Sequence, residues 1–549
     1  MSKKIKHSSG AGFVRTLTFG AAICGMGAVA NAGDCSIDAI QAMVGSDTTI
    51  TSAAPTAEPA PHCRIDGYVT TTDPGPNKNN FRLQLPDEWN NRFYFIGMGG
   101  SAGYVPTDSQ IPSGNPVAAG FAVAGTDTGH QAHLLDWSFL DDPAQRVDHI
   151  HRGAHVVTVA TQKITKAYYD ADKLYRYHSG CSGGGRMGME AIKKHPEDYD
   201  GVLLGWPGGR WPEGKPPTPY TGQAFTIMVR EMTREPGSWL SPAKLKLAEE
   251  KVTEACDMTD GANDGVIWDH TKCEFDFSTL QCEAGDGPEC LTQPEITSIN
   301  NLLHNTSMPI SNMTQWSGFL GRVAPPWSPE PSVENMPKAS GAHVILTTWA
   351  RTFLNQPDRD VIKDPLTTEE LERMNEIRAE MDFGDPEPAD LSGLKKAGGK
   401  AIFFAGVSDP CCSNIANKNW LNDVADNMGG KDKLAQFVTF YDVPGWGHCG
   451  GGTGPGDGAD RLLQELINWV EKGETPGPVE MHSGADRTKP IFNTDNELAT
   501  ESGVVIPPPE GGSRDFLVCP WGQVSVFDQS KANVPGAVNE AENWSCQKK

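Results

Sequence analysis

The sequence predicts an α/β fold: a mainly parallel sheet flanked by helices and split by a large inserted lid. Three observations predict it. Between residues 93 and 205, short apolar runs alternate with longer helical patterns, as strand-helix-strand units require. From about Gly208 to about Gly384 that alternation stops, and Pro-rich stretches, four cysteines and isolated helical patterns take its place. It resumes with Leu394 to Asp409. The expected division is residues 1–32 as a signal peptide, 33–207 as the first part of the α/β domain, 208–384 as the lid, and 385–549 as the second part.

The leader has a basic start at Lys3, Lys4, Lys6 and Arg15, a short apolar run from Leu17 to Ala30, and the small-residue site Ala30-Asn31-Ala32. Cleavage is expected after Ala32. The apolar run is too short to span a bilayer comfortably. Ala21-Ala22-Ile23 before Cys24 is a poor lipidation box, so the expectation is a soluble exported protein, secreted or periplasmic. Loss of the leader leaves 12 of the 13 cysteines, an even number suited to an oxidising compartment. It also takes the net charge from −24 to −28. Such acidity excludes nucleic acid and anionic membrane as natural partners.

Phe93 to Gly97 reads as a buried strand ending in Met98-Gly99-Gly100, and Phe121 to Gly125 as another, followed by Thr126-Asp127-Thr128-Gly129-His130. His151 to Tyr169 reads as a helix leading into the strand Leu174 to His178. Gly180-Cys181-Ser182-Gly183-Gly184 then resembles a nucleophile elbow, and Arg186 to Lys194 the helix that follows it. Small neighbours are needed there because a serine on a sharp strand-to-helix turn has strained backbone angles. Gly201 to Gly205 is the next strand. Within the middle segment, Pro242 to Ala255 reads as a helix. Beyond it, Ala401 to Phe404 and Phe437 to Val443 read as strands and Arg461 to Lys472 as a helix.

An elbow serine needs a base and an acid that orients the base. Asp409 follows the strand Ala401 to Phe404, and His448 follows the strand ending at Val443. Both lie just past strand ends, in the order Ser182, Asp409, His448. His130, His133 and His178 are rival histidines, read as ordinary structural ones. Asp442 is the rival acid, set within a strand too near His448. The backbone N–H groups of Gly183 and Gly100 are the expected oxyanion donors. If Cys181 and Cys449 bond to each other, the bridge ties the serine's loop to the histidine's loop.

Asp257, Asp260 and Asp264 crowd a tight Gly-bearing loop between Cys256 and Val266. Their spacing does not match an EF-hand, and on pattern alone a solvated acidic loop is the better reading.

Cys181-Ser182, Asp409 and Val443-Pro444-Gly445-Trp446-Gly447-His448-Cys449-Gly450-Gly451-Gly452 together resemble the tannase and feruloyl esterase family. Tyr199-Asp200-Gly201 and Thr126 to His130 add to the likeness. The resemblance implies an α/β-hydrolase fold with a large inserted lid domain, hydrolysing small-molecule esters of aromatic acids without an organic cofactor. It implies structural Ca²⁺ in the lid, bound by the side chains of Asp257, Asp260 and Asp264 and the carbonyls of Ala262 and Val266. It also implies the disulfides Cys35–Cys63, Cys181–Cys449, Cys256–Cys273, Cys282–Cys290 and Cys519–Cys546. Two departures stand out. Ala405-Gly406 replaces the usual histidine-glycine pair, and Cys411-Cys412 has no counterpart, leaving a vicinal disulfide, two thiols or other pairings open. An acyltransferase or peptidase using the same triad, or a non-catalytic binding protein on a hydrolase scaffold, are the alternatives.

Overall fold

Parallel strands covered on both faces read as continuous apolar runs, and such runs build the centre of this molecule. The computed structural model describes residues 33–106, 116–206, 221–306, 308–332, 334–335, 338–381, 389–483 and 514–548. The expected signal peptide and the expected boundaries at 207/208 and 384/385 lie outside the described residues. A nine-stranded sheet contains β1 (Thr48–Thr56), β2 (His62–Thr71), β3 (Asn77–Pro86), β4 (Arg92–Gly97), β5 (Ala122–Thr126), β6 (Tyr175–Cys181), β7 (Gly201–Gly205), β8 (Lys400–Gly406) and β9 (Val438–Val443). Its order is β1-β2-β3-β5-β4-β6-β7-β8-β9. Strands β5, β4, β6, β7, β8 and β9 run parallel. Strands β1, β2 and β3 add an antiparallel edge that the sequence reading missed.

The central strands carry the core. Phe93, Phe95, Val202, Leu203, Leu204, Ile402, Phe403 and Phe440 are all buried. Each such side chain contributes about 1.5–3 kcal/mol on leaving water. The helices Gly153–Tyr168, Gly183–Lys194 and Gly458–Lys472 bury apolar stripes against this sheet. The first is continuous with a π-helical turn, Asp148–Arg152.

Between β7 and β8 the described residues add helices, not strands of the main sheet. Thr221–Thr233, Pro242–Cys256, Gln293–Asn305, Gly341–Phe353 and Thr368–Glu380 are the longest. They share a second hydrophobic cluster around Phe225, Trp316, Leu320, Trp349 and Phe353. Trp137, Phe139 and Leu140, from the segment after β5, complete that cluster. Two antiparallel strand pairs follow, β10 (Val479–Ser483) with β11 (Arg514–Val518) and β12 (Gln523–Phe527) with β13 (Trp544–Lys548). No helix among the described residues is long and apolar enough to cross a membrane.

Candidate active site

Strand β6 ends in the elbow. Ser182 has φ 58° and ψ −121°, a strained conformation for a residue with a Cβ. Glycine is required around it by close approach. A Cβ on Gly184 would stand 2.2 Å from the Gly97 carbonyl oxygen, and one on Gly180 would stand 2.6 Å from the Gly184 carbonyl carbon. Buried His178 bonds the Gly184 carbonyl oxygen through Nε2 at 3.0 Å and stacks on Phe95. Burial pushes its pKa down to about 4, so it is a neutral brace of the elbow.

The other rival histidines are also structural in placement. His130 stacks on Phe139 with ring centroids 3.5 Å apart, and burial lowers its pKa to about 4. His133 accepts Leu135 N–H at Nδ1. His149, which the sequence did not single out, bonds Thr128 Oγ1 at 3.2 Å and Arg186 Nη2 at 2.9 Å. Arg186 belongs to the elbow helix, so the Thr126 to His130 loop supports that helix through His149. The ion pair Arg176–Asp200, at 2.6 Å, braces the start of β6 against β7.

Asp409 and His448 come from the loops after β8 and β9. His448 Nδ1 and Asp409 Oδ2 are 2.8 Å apart, and the Asp409 side chain is 1% exposed. Asp409 Oδ1 accepts the backbone N–H groups of Cys411 at 2.8 Å and Cys412 at 3.0 Å. Burial opposes the imidazolium of His448. The Asp409 charge, the Cys411 sulfur and the Asp409 hydrogen bond outweigh it and push the pKa up to about 9. Asp442 is held instead by Asn414 at 2.7 Å and Lys418 at 2.8 Å.

A disulfide joins Cys181 to Cys449 with a Cα–Cα distance of 5.8 Å. Ser182 and His448 are therefore each one residue from a single covalent bridge. Gly205 leaves room for it, since a Cβ there would lie 2.7 Å from Cys181 Sγ. Among the described residues Ser182 Oγ makes no hydrogen bond to His448; such bonds commonly tighten only with substrate in place. Gly183 opens the elbow helix, so its N–H has no partner within that helix. A Cβ on Gly183 would stand 2.2 Å from the Gly100 carbonyl oxygen and 2.9 Å from its nitrogen, so the elbow packs its backbone against the Gly99-Gly100 loop.

The helical layer reaches this centre in ways the sequence did not disclose. Phe319 sets its ring edge-on to His448 with centroids 6.3 Å apart. Asn312 donates to Ser408 Oγ at 2.9 Å, and Ser311 Oγ lies 2.8 Å from the same atom. Ser408 immediately precedes Asp409. Arg351 of the same layer pairs with Glu330 at 3.0 Å and bonds the Arg359 carbonyl.

The remaining disulfides are Cys35–Cys63, Cys256–Cys273, Cys282–Cys290 and Cys519–Cys546, the pairings implied by resemblance. Cys256–Cys273 closes the acidic loop. Asp257 accepts Gly265 N–H at 3.0 Å, and Asp260 accepts Trp268 N–H at 3.0 Å. Burial, with like charge from Asp264 and Asp257, raises Asp260 to about 7. Arg514 of β11 pairs with Asp264. Buried, mutually repelling carboxylates beside backbone carbonyls are a donor set that suits a hard divalent cation. The three side chains do not converge within 4.8 Å of one another, so closing on an ion would turn them from their backbone partners.

A family model described as "Tannase and feruloyl esterase" matches residues 63–547. The chain belongs to the tannase and feruloyl esterase family. It is 26% identical over 546 residues to a mono(2-hydroxyethyl) terephthalate hydrolase of Piscinibacter sakaiensis, covering 88% of this chain and 84% of that one. It is 28% identical over 440 residues to a probable feruloyl esterase B-2 of Aspergillus terreus, covering 76% and 78%. Among solved structures it resembles feruloyl esterase B from Aspergillus oryzae, with TM-score 0.71, 21% identity, and 93% and 99% coverage. It also resembles tannin acyl hydrolase from Aspergillus niger, with TM-score 0.66, 17% identity, and 94% and 95% coverage. These neighbours give the α/β-hydrolase fold. Family membership makes the chain a carboxylic ester hydrolase of the tannase and feruloyl esterase type.

Proposed function

We propose that the protein is an exported serine esterase that cleaves small esters of aromatic acids through Ser182, His448 and Asp409 and an acyl-enzyme. The observation that carries this reading is the Cys181–Cys449 bridge. It sets the strained serine beside the loop of a histidine whose other nitrogen already meets a buried carboxylate. His448 Nε2 takes the Ser182 proton as Oγ attacks the ester carbonyl. Asp409 fixes the imidazole tautomer and stabilises its cation. The N–H groups of Gly183 and Gly100 receive the oxyanion. The alcohol leaves with the proton from His448, and water then releases the acid by the same steps. Phe319, beside His448, offers an aromatic wall for the acyl group.

Calcium in the acidic loop is part of the proposal. It would supply fixed positive charge for Asp257, Asp260 and Asp264 and the carbonyls of Ala262 and Val266. Its role is structural, since that loop packs on the C-terminal strands through Arg514 and the stacked pair Trp268–Trp544. The leader with cleavage after Ala32 and the five disulfides support export. The reading treats residues 208–384 as the lid domain.

A fluorophosphonate tests the nucleophile. One equivalent should label Ser182, located by peptide mass spectrometry, and abolish turnover. Full turnover with Ser182 unlabelled would refute the assignment.

A further inference from the structure

Cys411 and Cys412 are absorbed by none of this. Among the described residues the other ten cysteines are paired, and these two are thiols. They stand at the active centre. Their sulfurs are 2.7 Å apart. Both sulfurs and a ring nitrogen of His448 lie within 4.8 Å of one another. Their successive backbone N–H groups hold Asp409 Oδ1. Cys411 is partly exposed and Cys412 is buried.

We propose that Cys411 and Cys412 form a redox-active vicinal dithiol whose oxidation to a disulfide tunes His448 as a base. The proposal rests on His448 being the general base. The oxidant is a disulfide, either a small molecule or the active-site disulfide of an oxidoreductase. The Cys411 thiolate attacks it, forms a mixed disulfide and expels one thiolate. The Cys412 thiolate then attacks Cys411 Sγ and expels the second. Two protein thiols become one disulfide, and the two protons and two electrons leave with the two reduced thiols.

The consequence is electrostatic. The titratable groups facing His448 are Asp409, Cys411 and Cys412, the last a buried thiol whose pKa burial pushes up; Phe319, which approaches from the helical layer, is uncharged. A reduced Cys411 sulfur beside the ring favours the imidazolium, which cannot accept the serine proton. The disulfide cannot ionise. Losing a neighbouring charge at this range shifts a pKa by about 1–3 units. Oxidation therefore moves the acid limb of kcat/KM to lower pH and raises activity near neutrality.

The test uses the full mature protein. Oxidised glutathione is added without reductant, so the five existing bridges stay intact. Alkylation under native and unfolding conditions, read by intact mass, counts free thiols. The expected result is a fall from two thiols to none, a downward shift of the acid limb by about one unit or more, and unchanged thermal stability of the fold. Cys411→Ser should hold the low-pH limb in both redox conditions. Cys412→Ser, measured without oxidant, should hold the high-pH limb. Two thiols that resist oxidation, or oxidation with no movement of the limb, would overturn the proposal, and that wild-type arm needs no variant to fold. Failure of the base assignment is separable. It would appear as a His448→Ala variant that keeps turnover, while the thiol count is independent of catalysis.

Discussion

Replacing Cys181 and Cys449 together by alanine tests how far one covalent bond assembles the centre. The bridge closes a loop of sequence separation 268. Chain entropy assigns such a loop about 5 kcal/mol at 25 °C, reduced somewhat by the two bridges inside it. The catalytic effect is separate. Without the bond the serine and histidine loops are held by packing alone, and a misplacement of about 1 Å costs about 100-fold in rate. The assay is kcat and KM on a soluble aromatic ester at 25 °C, with near-UV circular dichroism to establish that the variant is folded. A fall in kcat of about two orders of magnitude with little change in KM is expected. The Cys282→Ala/Cys290→Ala variant, which removes a remote bridge of separation 8, should keep its kcat. A folded Cys181→Ala/Cys449→Ala protein with wild-type kcat refutes the reasoning.

Asp409→Asn should leave the fold intact and cut kcat by about 10³–10⁴, because the imidazole loses its orienting carboxylate; a small effect would reassign the acid. In the reduced protein kcat/KM should rise with pH through a limb near 9, where burial is outweighed by Asp409 and Cys411. The same group contributes stability that is present below its unfolded pKa of about 6.5 and lost as pH rises through the folded value, so denaturant titrations of wild type and His448→Ala should converge at high pH. Asp260, raised to about 7 mainly by burial, has the same sense in a lower window: without a cation, stability falls as pH climbs from the unfolded value of about 4 through the folded value. Chelation should therefore lower the melting temperature more at pH 8 than at pH 5, and added Ca²⁺ should restore it; a melting curve indifferent to both would dismiss the ion. Asn312→Ala, which frees Ser408 from the helical layer, should cost about 1–3 kcal/mol of stability and lower kcat/KM.

The elbow was legible because close approach imposes its composition. Gly180 and Gly184 read as turn residues in sequence, and the backbones of Gly97, Gly180 and Gly184 touch in the fold. The order of Asp409 and His448 after their strands was legible because each strand carries a mainly apolar core, Ala401 to Phe404 and Phe437 to Val443, the second broken only by Thr439 and Asp442. The antiparallel edge was not. Strands β2 and β3 carry Arg64, Asp66 and Arg82 on a half-exposed face, and Arg82 pairs across to Asp66 at 2.8 Å. Those charges interrupt the apolar run that marks a buried strand. Phe319, Asn312 and Arg514 were illegible because their partners are distant in sequence: Arg514 meets Asp264 across 250 residues, and Asn312 meets Ser408 across 96. His149 carries no motif of its own and is recognised only from its bond to Arg186.

The central claim is that Ser182 performs aromatic ester hydrolysis. The measurement that meets it most directly is initial-rate hydrolysis of methyl ferulate, methyl gallate and a terephthalate monoester by the mature protein beside its Ser182→Ala variant. The account predicts rapid cleavage of at least one of these esters by the wild type and a loss of about 10³-fold or more in a folded Ser182→Ala protein. Cleavage that survives the substitution would contradict it.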